Sequence, residues 1–251
     1  AHVPALVFAV CGHLPPSQDL PQLWVEAGFP VGNQSYSGLD PNLVTVQEWA
    51  ADVAFCQKAI QKVHPKTKGW FRFPHLVQGW TKEKDSALTA ALSELELVAV
   101  PASIPVLDHL YSRAYEQAKK EKKERLAATI ASEYIDHVRQ SIRHVKELSF
   151  QRRGMTTPHI ARLHINVLNA DHLPALLQQL KADGVRFISV HEAMQDPVYH
   201  QSNEYYGRGT KSWLNRVAPR PDAHEESWFG KQALGITIQY PQYLGGQDHK
   251  K

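Results

Sequence analysis

Ala27-Gly28-Phe29-Pro30-Val31-Gly32-Asn33-Gln34-Ser35-Tyr36-Ser37-Gly38 is the stretch on which the reading of the fold turns. Gly28 stops whatever precedes it, a short strand follows at residues 30–32, and a polar loop runs over 33–42. Upstream, residues 6–10 form a short apolar run closed by Gly12, as in a strand buried within a parallel sheet. Between the two, Leu20, Leu23, Trp24 and Ala27 share one face of a short helix over 17–27. Downstream, Thr45 with Glu48 three residues later is a capping box. It opens a helix whose stripe is Trp49, Val53, Cys56, Ile60 and Val63.

The alternation continues along the chain. Trp70-Phe71-Arg72-Phe73 reads as a strand ended by Pro74, a helix covers about 82–95, and an apolar run follows at 95–100. Residues 108–148 carry one long helical pattern with no Pro or Gly to break it. A strand at 160–165, a helix at 173–182 ending by Gly184, a strand at 185–190 and a helical turn from His191 complete it. Such alternation predicts right-handed crossovers and a parallel sheet or barrel. The expected organisation is one domain over residues 1–217 and a tail at 218–251, irregular after about residue 200. Within that tail, Leu234-Gly235-Ile236-Thr237-Ile238-Gln239-Tyr240 alternates like a strand.

Lys plus Arg number 28 against 25 for Asp plus Glu, a net charge of +3. That balance gives no electrostatic case for binding nucleic acid or an anionic membrane. The basic cluster at 119–125 mixes both signs at helical spacing, as a solvated helix face does. No apolar run reaches the ~18 residues of a membrane span. Residues 1–10 lack a basic segment and read as a strand, while removal of an earlier targeting segment stays open. Cys11 and Cys56 lie in apolar patterns and match no zinc or redox spacing, so they read as buried free thiols.

Taken in order, four further groups of residues carry a resemblance. They are Phe71-Arg72-Phe73-Pro74, Leu163-His164 with Asn169-Ala170-Asp171, Gly184-Val185-Arg186-Phe187, and Asp196-Pro197-x-Tyr199 with Gly209-x-x-Ser212-Trp213-Leu214. With residues 27–38 they resemble the polysaccharide deacetylase family, the NodB-homology carbohydrate esterases. The opening stretch is similar to that family's second motif, in which a strand ends in Gly-Asn-His-(Ser/Thr)-x-x-His. The others resemble its third motif (aromatic-Arg-x-Pro), its last motif and closing strand, and the tail of one bacterial branch. The order agrees over roughly residues 4–217.

The resemblance implies an α/β fold, a distorted (β/α) barrel with its site at the C-terminal strand ends. It implies removal of acetyl groups from N-acetylated oligo- or polysaccharides, in a periplasmic or secreted setting, with oligomerisation left open. A divalent metal, zinc by resemblance, would be held by one Asp and two His, with a second Asp as base and a late His as acid.

The departures fall on the metal side. Gln34 and Gly38 stand at the two metal His positions, and no Asp-Asp pair for the family's first motif occurs anywhere in the chain. The chain therefore reads as starting at the second barrel strand, with no metal ligand in the family's positions. Residues 234–240, or another chain, would fill the vacant strand place.

The candidate catalytic residues are His164, Asp108 and Arg72. His164 keeps the position of the family's acid, with a backbone-satisfied loop His as the alternative. Arg72 matches the Arg that orients the base; without a base, a structural ion pair is an equal reading. Ile104-Pro105-Val106-Leu107-Asp108-His109 resembles a fourth motif of Asp-x-x-Asp-Trp form, with Pro105 and His109 replacing the first Asp and the Trp. Asp108 is expected to pair with His164. The candidate substrate-binding residues are Tyr36, Trp70, Asn33 and Asn166; core packing is an equal reading for Trp70 and Phe71. A relocated metal site of His75, His109 and His164 competes with simple chance among 14 histidines. Two functional readings result: a metal-dependent deacetylase incomplete as given, and a non-catalytic relative that keeps a sugar cleft. A metal-independent hydrolase using His164 and Asp108 is a third and lacks an obvious nucleophile.

Overall fold

The computed structural model describes residues 3–15, 19–65, 69–208, 211–218 and 223–244, the last without the side chains of 223–227. Its strands are parallel and its helices are the crossovers between them, an α/β fold as expected. Contacts within the chain divide it into two compact units. The first is Ala1–Ala102 with Phe187–Pro219, and the second is Ser103–Arg186 with Arg220–Lys251.

In the first unit, β1 (Val7–Ala9), β2 (Val31–Asn33), β3 (Trp70–Phe71) and β4 (Val98–Ala99) lie in sequence order in one parallel sheet. Helices α1 (Leu20–Glu26), α2 (Val46–Val63) and α3 (Lys82–Glu94) connect them. The register pairs Val7 with Val31, Asn33 with Phe71, and Phe71 with Ala99. Gly32 is required by this pairing: a Cβ there would meet the Phe8 ring at 2.7 Å. The Thr45 and Glu48 side chains form the capping box of α2. The α2 stripe then buries Trp49 and Val53 against Phe71, Phe73, Leu88 and Leu92. Deep burial of these rings supplies the main stabilisation, about 25 cal/mol per Å² of apolar surface. The short α7 (Val190–Ala193) and α8 (Trp213–Arg216) complete the unit.

The cysteines correct the sequence reading. Cys11 and Cys56 are joined in a disulfide, with Cα atoms 5.5 Å apart and a sequence separation of 45. It ties the end of β1 to α2. Apolar surroundings suit a cystine as well as two thiols, and the pairing depends on tertiary proximity that spacing does not reveal.

In the second unit, β5 (Ile104–Pro105) and β6 (Ala161–Arg162) pair in parallel, Ile104 with Ala161 and Pro105 with Arg162. Around them pack α4 (Asp108–Lys120), α5 (Glu124–Arg153), α6 (Val167–Ala182), α9 (Ala223–Gln239) and α10 (Pro241–Leu244). The long helical pattern is therefore two helices. The break falls at residues 121–123, where Lys122 takes a left-handed φ of 57°. This exposed run of charges has no apolar residue to hold a further turn, and the reversal lets α5 pack along α4.

Three further expectations differ. The strand expected at 160–165 is limited to Ala161–Arg162. Residues 185–189 form no ladder, and Ser189 instead caps α7 through the Glu192 N–H. The described part of the tail from residue 223 is helical, and the strand-like 234–240 segment lies in α9 and its end. Ile236, Tyr240 and Leu244 are buried at a spacing of four, so helical burial overrides the β-branched alternation. Thr237 adds an Oγ1–H bond to the Ala233 carbonyl, which fits its place inside a helix.

Candidate functional site

In the second unit β5 leads directly into α4, and Asp108 is the first residue of that helix. An anionic side chain is favoured there by the helix dipole. Asp108 is fully buried. Its Oδ2 accepts from the His164 backbone N–H at 2.7 Å, Asn169 Nδ2 at 2.9 Å and Asn166 Nδ2 at 3.1 Å. Its Oδ1 faces His164 Nδ1 at 2.7 Å. A buried carboxylate is tolerable only with such a shell of donors. Asn169 is itself held on both sides: Nδ2 also donates to the His164 carbonyl, and Oδ1 accepts from Tyr134 Oη at 2.5 Å. Burial, reinforced by the Asp108 charge, pushes the Tyr134 hydroxyl well above its ordinary value, so it stays a donor.

His164 follows β6, and its other nitrogen, Nε2, lies 2.9 Å from Arg162 Nη2. Arg162 and His164 are two apart at the end of a strand and so project to the same side. A carboxylate only accepts and a guanidinium only donates, so these two neighbours fix the His164 tautomer. Nδ1 carries the proton toward Asp108, and Nε2 accepts from Arg162. Burial lowers the Arg162 affinity for its proton, and the Asp108 charge offsets part of that.

His109, the next residue of α4, sets its ring 5.5 Å from the His164 ring, centre to centre. One edge of His109 is open to solvent. Even so, the desolvation of its inner edge, then the neighbouring His164, hold it down to about 4. Asp108, His109 and His164 each offer a ligand atom, and these atoms lie within 4.8 Å of one another.

The structure thus brings together Asp108, His164 and Asn166 of the sequence-derived set. Asn166 caps α6, its Oδ1 accepting from the Asn169 N–H at 2.8 Å while its amide reaches Asp108. The other candidates belong to the first unit. Arg72 is buried, donates from Nε to the Val100 carbonyl at 3.3 Å and stacks on the Phe8 ring at 4.3 Å. Asn33 is fully buried, bonding the Val53 carbonyl, Gln57 Oε1 and the Ser35 N–H. Trp70 is 8% exposed, whereas Tyr36 is 41% exposed and packs edge-on against Phe55 at 4.8 Å. His75 lies in the first unit with a left-handed φ of 54° and is not part of the Asp108 cluster. Sequence reasoning gave no role to Arg162, Asn169 or Tyr134. The two-residue spacing of Arg162 from His164 was the available signal for the first of these.

No protein-family model and no curated protein sequence matches the chain. Solved structures do. One is a family 4 acetyl xylan esterase from Clostridium thermocellum in complex with a cobalt ion. It shares 19% identity and a TM-score of 0.51 over 77% of this chain and 78% of that one. Another is the chitin deacetylase of the fungal pathogen Colletotrichum lindemuthianum, at 16% identity and 0.51 over 77% and 76%. The fold is that of the polysaccharide deacetylases. A mutant of BA3943, a CE4 family pseudoenzyme from Bacillus anthracis, shares this fold at 12% identity and a TM-score of 0.50. That match covers 69% of this chain and 50% of that one, so the chain spans about half the length of the pseudoenzyme.

Within the deacetylase fold, the positions that the family resemblance assigns to a metal do not suit one here. Gly38 offers no donor atom, sits at φ +71°, and a Cβ added to it would meet Val10 Cγ1 at 3.2 Å. Gln34 brings only a neutral amide. On the side where the resemblance places the acid, Asp108 and His164 are paired, and Arg162 lies against the other ring nitrogen of His164.

Proposed function

We propose that this chain is a deacetylase-fold protein that binds N-acetylated carbohydrate without cleaving it through the family's metal chemistry. One observation carries the reading. The metal-side turn is built around a left-handed glycine at position 38, while the Asp108–His164 pair on the acid side is kept and hydrogen-bonded.

The chemistry open to the site follows from its hydrogen bonds. Asp108 holds His164 by backbone and side chain, which fixes the ring with Nδ1 toward the carboxylate. A general acid must present Nε2–H to the departing amine. Here Nε2 already accepts from Arg162, and protonating it would set two donors against each other. Proton donation therefore requires Arg162 to swing away. The positions that the resemblance gives to the family's metal and base hold Gln34, Gly38 and no Asp pair, so they offer no means of activating water by the family's route. Exposed Tyr36, beside Phe55, supports the binding part of the reading, since sugar C–H faces stack on such rings.

The test pairs acetate release with binding, using chitin oligosaccharides and the whole chain supplied with zinc or cobalt. Binding by calorimetry with no acetate above the buffer control is the expected result. Metal-dependent acetate release would overturn the reading in favour of an active deacetylase.

A further inference from the structure

We propose that Asp108, His109 and His164 form a divalent-metal site of the zinc class, with Arg162 as the internal cation that the metal displaces. Two imidazoles and one carboxylate are a donor set that zinc and cobalt take while leaving a position for water. The three ligand atoms lie within 4.8 Å of one another. Bonds of about 2.0–2.1 Å in a tetrahedron put ligand atoms about 3.3 Å apart, so the cluster closes by about 1.5 Å at most. Rotation of the solvent-edged His109 supplies that movement. The carboxylate is already oriented: three N–H groups hold Oδ2, and Oδ1 is left facing His164. Outer-sphere bonds of this kind aim a carboxylate ligand at its metal. This donor set shares no residue with positions 34 and 38, where the family resemblance places its two metal histidines.

Arg162 makes the inference specific. Its guanidinium sits 2.9 Å from His164 Nε2, occupying a lone pair that a metal would use. Binding at Nδ1 instead would leave a proton on Nε2 pointing at the guanidinium. Either way the arginine leaves when the metal enters, so the chain's own positive charge opposes the ion. Removing that charge strengthens binding, and replacing it with another cation does not.

Zinc titrated calorimetrically into the metal-stripped full chain tests this, with cobalt absorption reporting four-coordinate geometry. One equivalent is expected in the unaltered chain, with binding lost in His109→Ala, whose surface position leaves the fold intact. Arg162→Gln is expected to bind roughly tenfold tighter or more, as removal of a unit charge a few ångströms away implies. Arg162→Lys is expected to stay near the unaltered chain. Absence of zinc uptake by the unaltered chain overturns the site, as does equal uptake by His109→Ala. Unchanged or weaker affinity in a folded Arg162→Gln overturns the role of Arg162. Calorimetry reads these outcomes whether or not acetate is released.

Discussion

Asp108 accepts from four N–H donors while buried from solvent, so its removal is felt by every one of them. Truncation to Ala strands two Asn amides and a backbone N–H, and urea titration is expected to show a loss of about 3 kcal/mol or more. Asn166→Ala removes one of those donors and a helix cap together, for about 1–2 kcal/mol. An Asp108→Ala variant as stable as the parent would show that the network is not formed in solution. The pairing of Asp108 with His164 was legible in the sequence through likeness to a motif. Arg162 was not, because an arginine two residues before a histidine is unremarkable until the strand end turns both side chains the same way. Gly38 lies between these cases: the missing ligand was plain in the sequence, whereas the left-handed turn that makes His costly there was not.

At the scale of elements, α9 shows how a tertiary face decides what local pattern leaves ambiguous. It lays Trp228 against two histidines of α5, stacked on His144 at 4.6 Å and on His137 at 6.2 Å. Tyr111 of α4 flanks His137 from another side, and the Ser141 hydroxyl lies 3.4 Å from its Nε2. Burial holds His137 down to about 4 from 6.5, with only the Asp108 charge opposing. Burial also lowers His144, against Glu147 and with Arg152. The unfolded chain therefore takes up a proton on His137 that the native chain refuses between those two values. Stability is full above about pH 6.5 and falls as pH drops toward 4, by about 3 kcal/mol for this residue. Urea midpoints measured across that range are expected to decline with acidity, and His137→Phe is expected to make the decline shallower, with His109 and His144 supplying the rest. An unaltered slope in that variant would place the acid sensitivity elsewhere. Helices α2 and α3 were readable from their caps and stripes. Residues 234–240 were misread because period-two alternation over seven residues is short beside the four-residue spacing of Ile236, Tyr240 and Leu244.

For the whole molecule, the parallel order of strands came straight from alternation of apolar runs and helices. What escaped was the covalent tie, which joins positions 45 residues apart and leaves no local trace. Closing a loop of that size removes unfolded-state entropy equivalent to about 4 kcal/mol. Replacing both Cys11 and Cys56 by Ala is expected to reduce stability by about 2–4 kcal/mol in urea under oxidising conditions. A double variant as stable as the oxidised parent would show that the bridge does not form.

That bridge also makes the history of a preparation visible. The loop it closes contains α1, β2 and the first part of α2. In a reducing cytosol, chains would keep two thiols and open this segment more often, and a brief exposure to protease would cut there first. Chains matured in an oxidising space would survive the same treatment. A gel of timed digests, run with and without prior reduction, would then report the compartment in which a given sample was made.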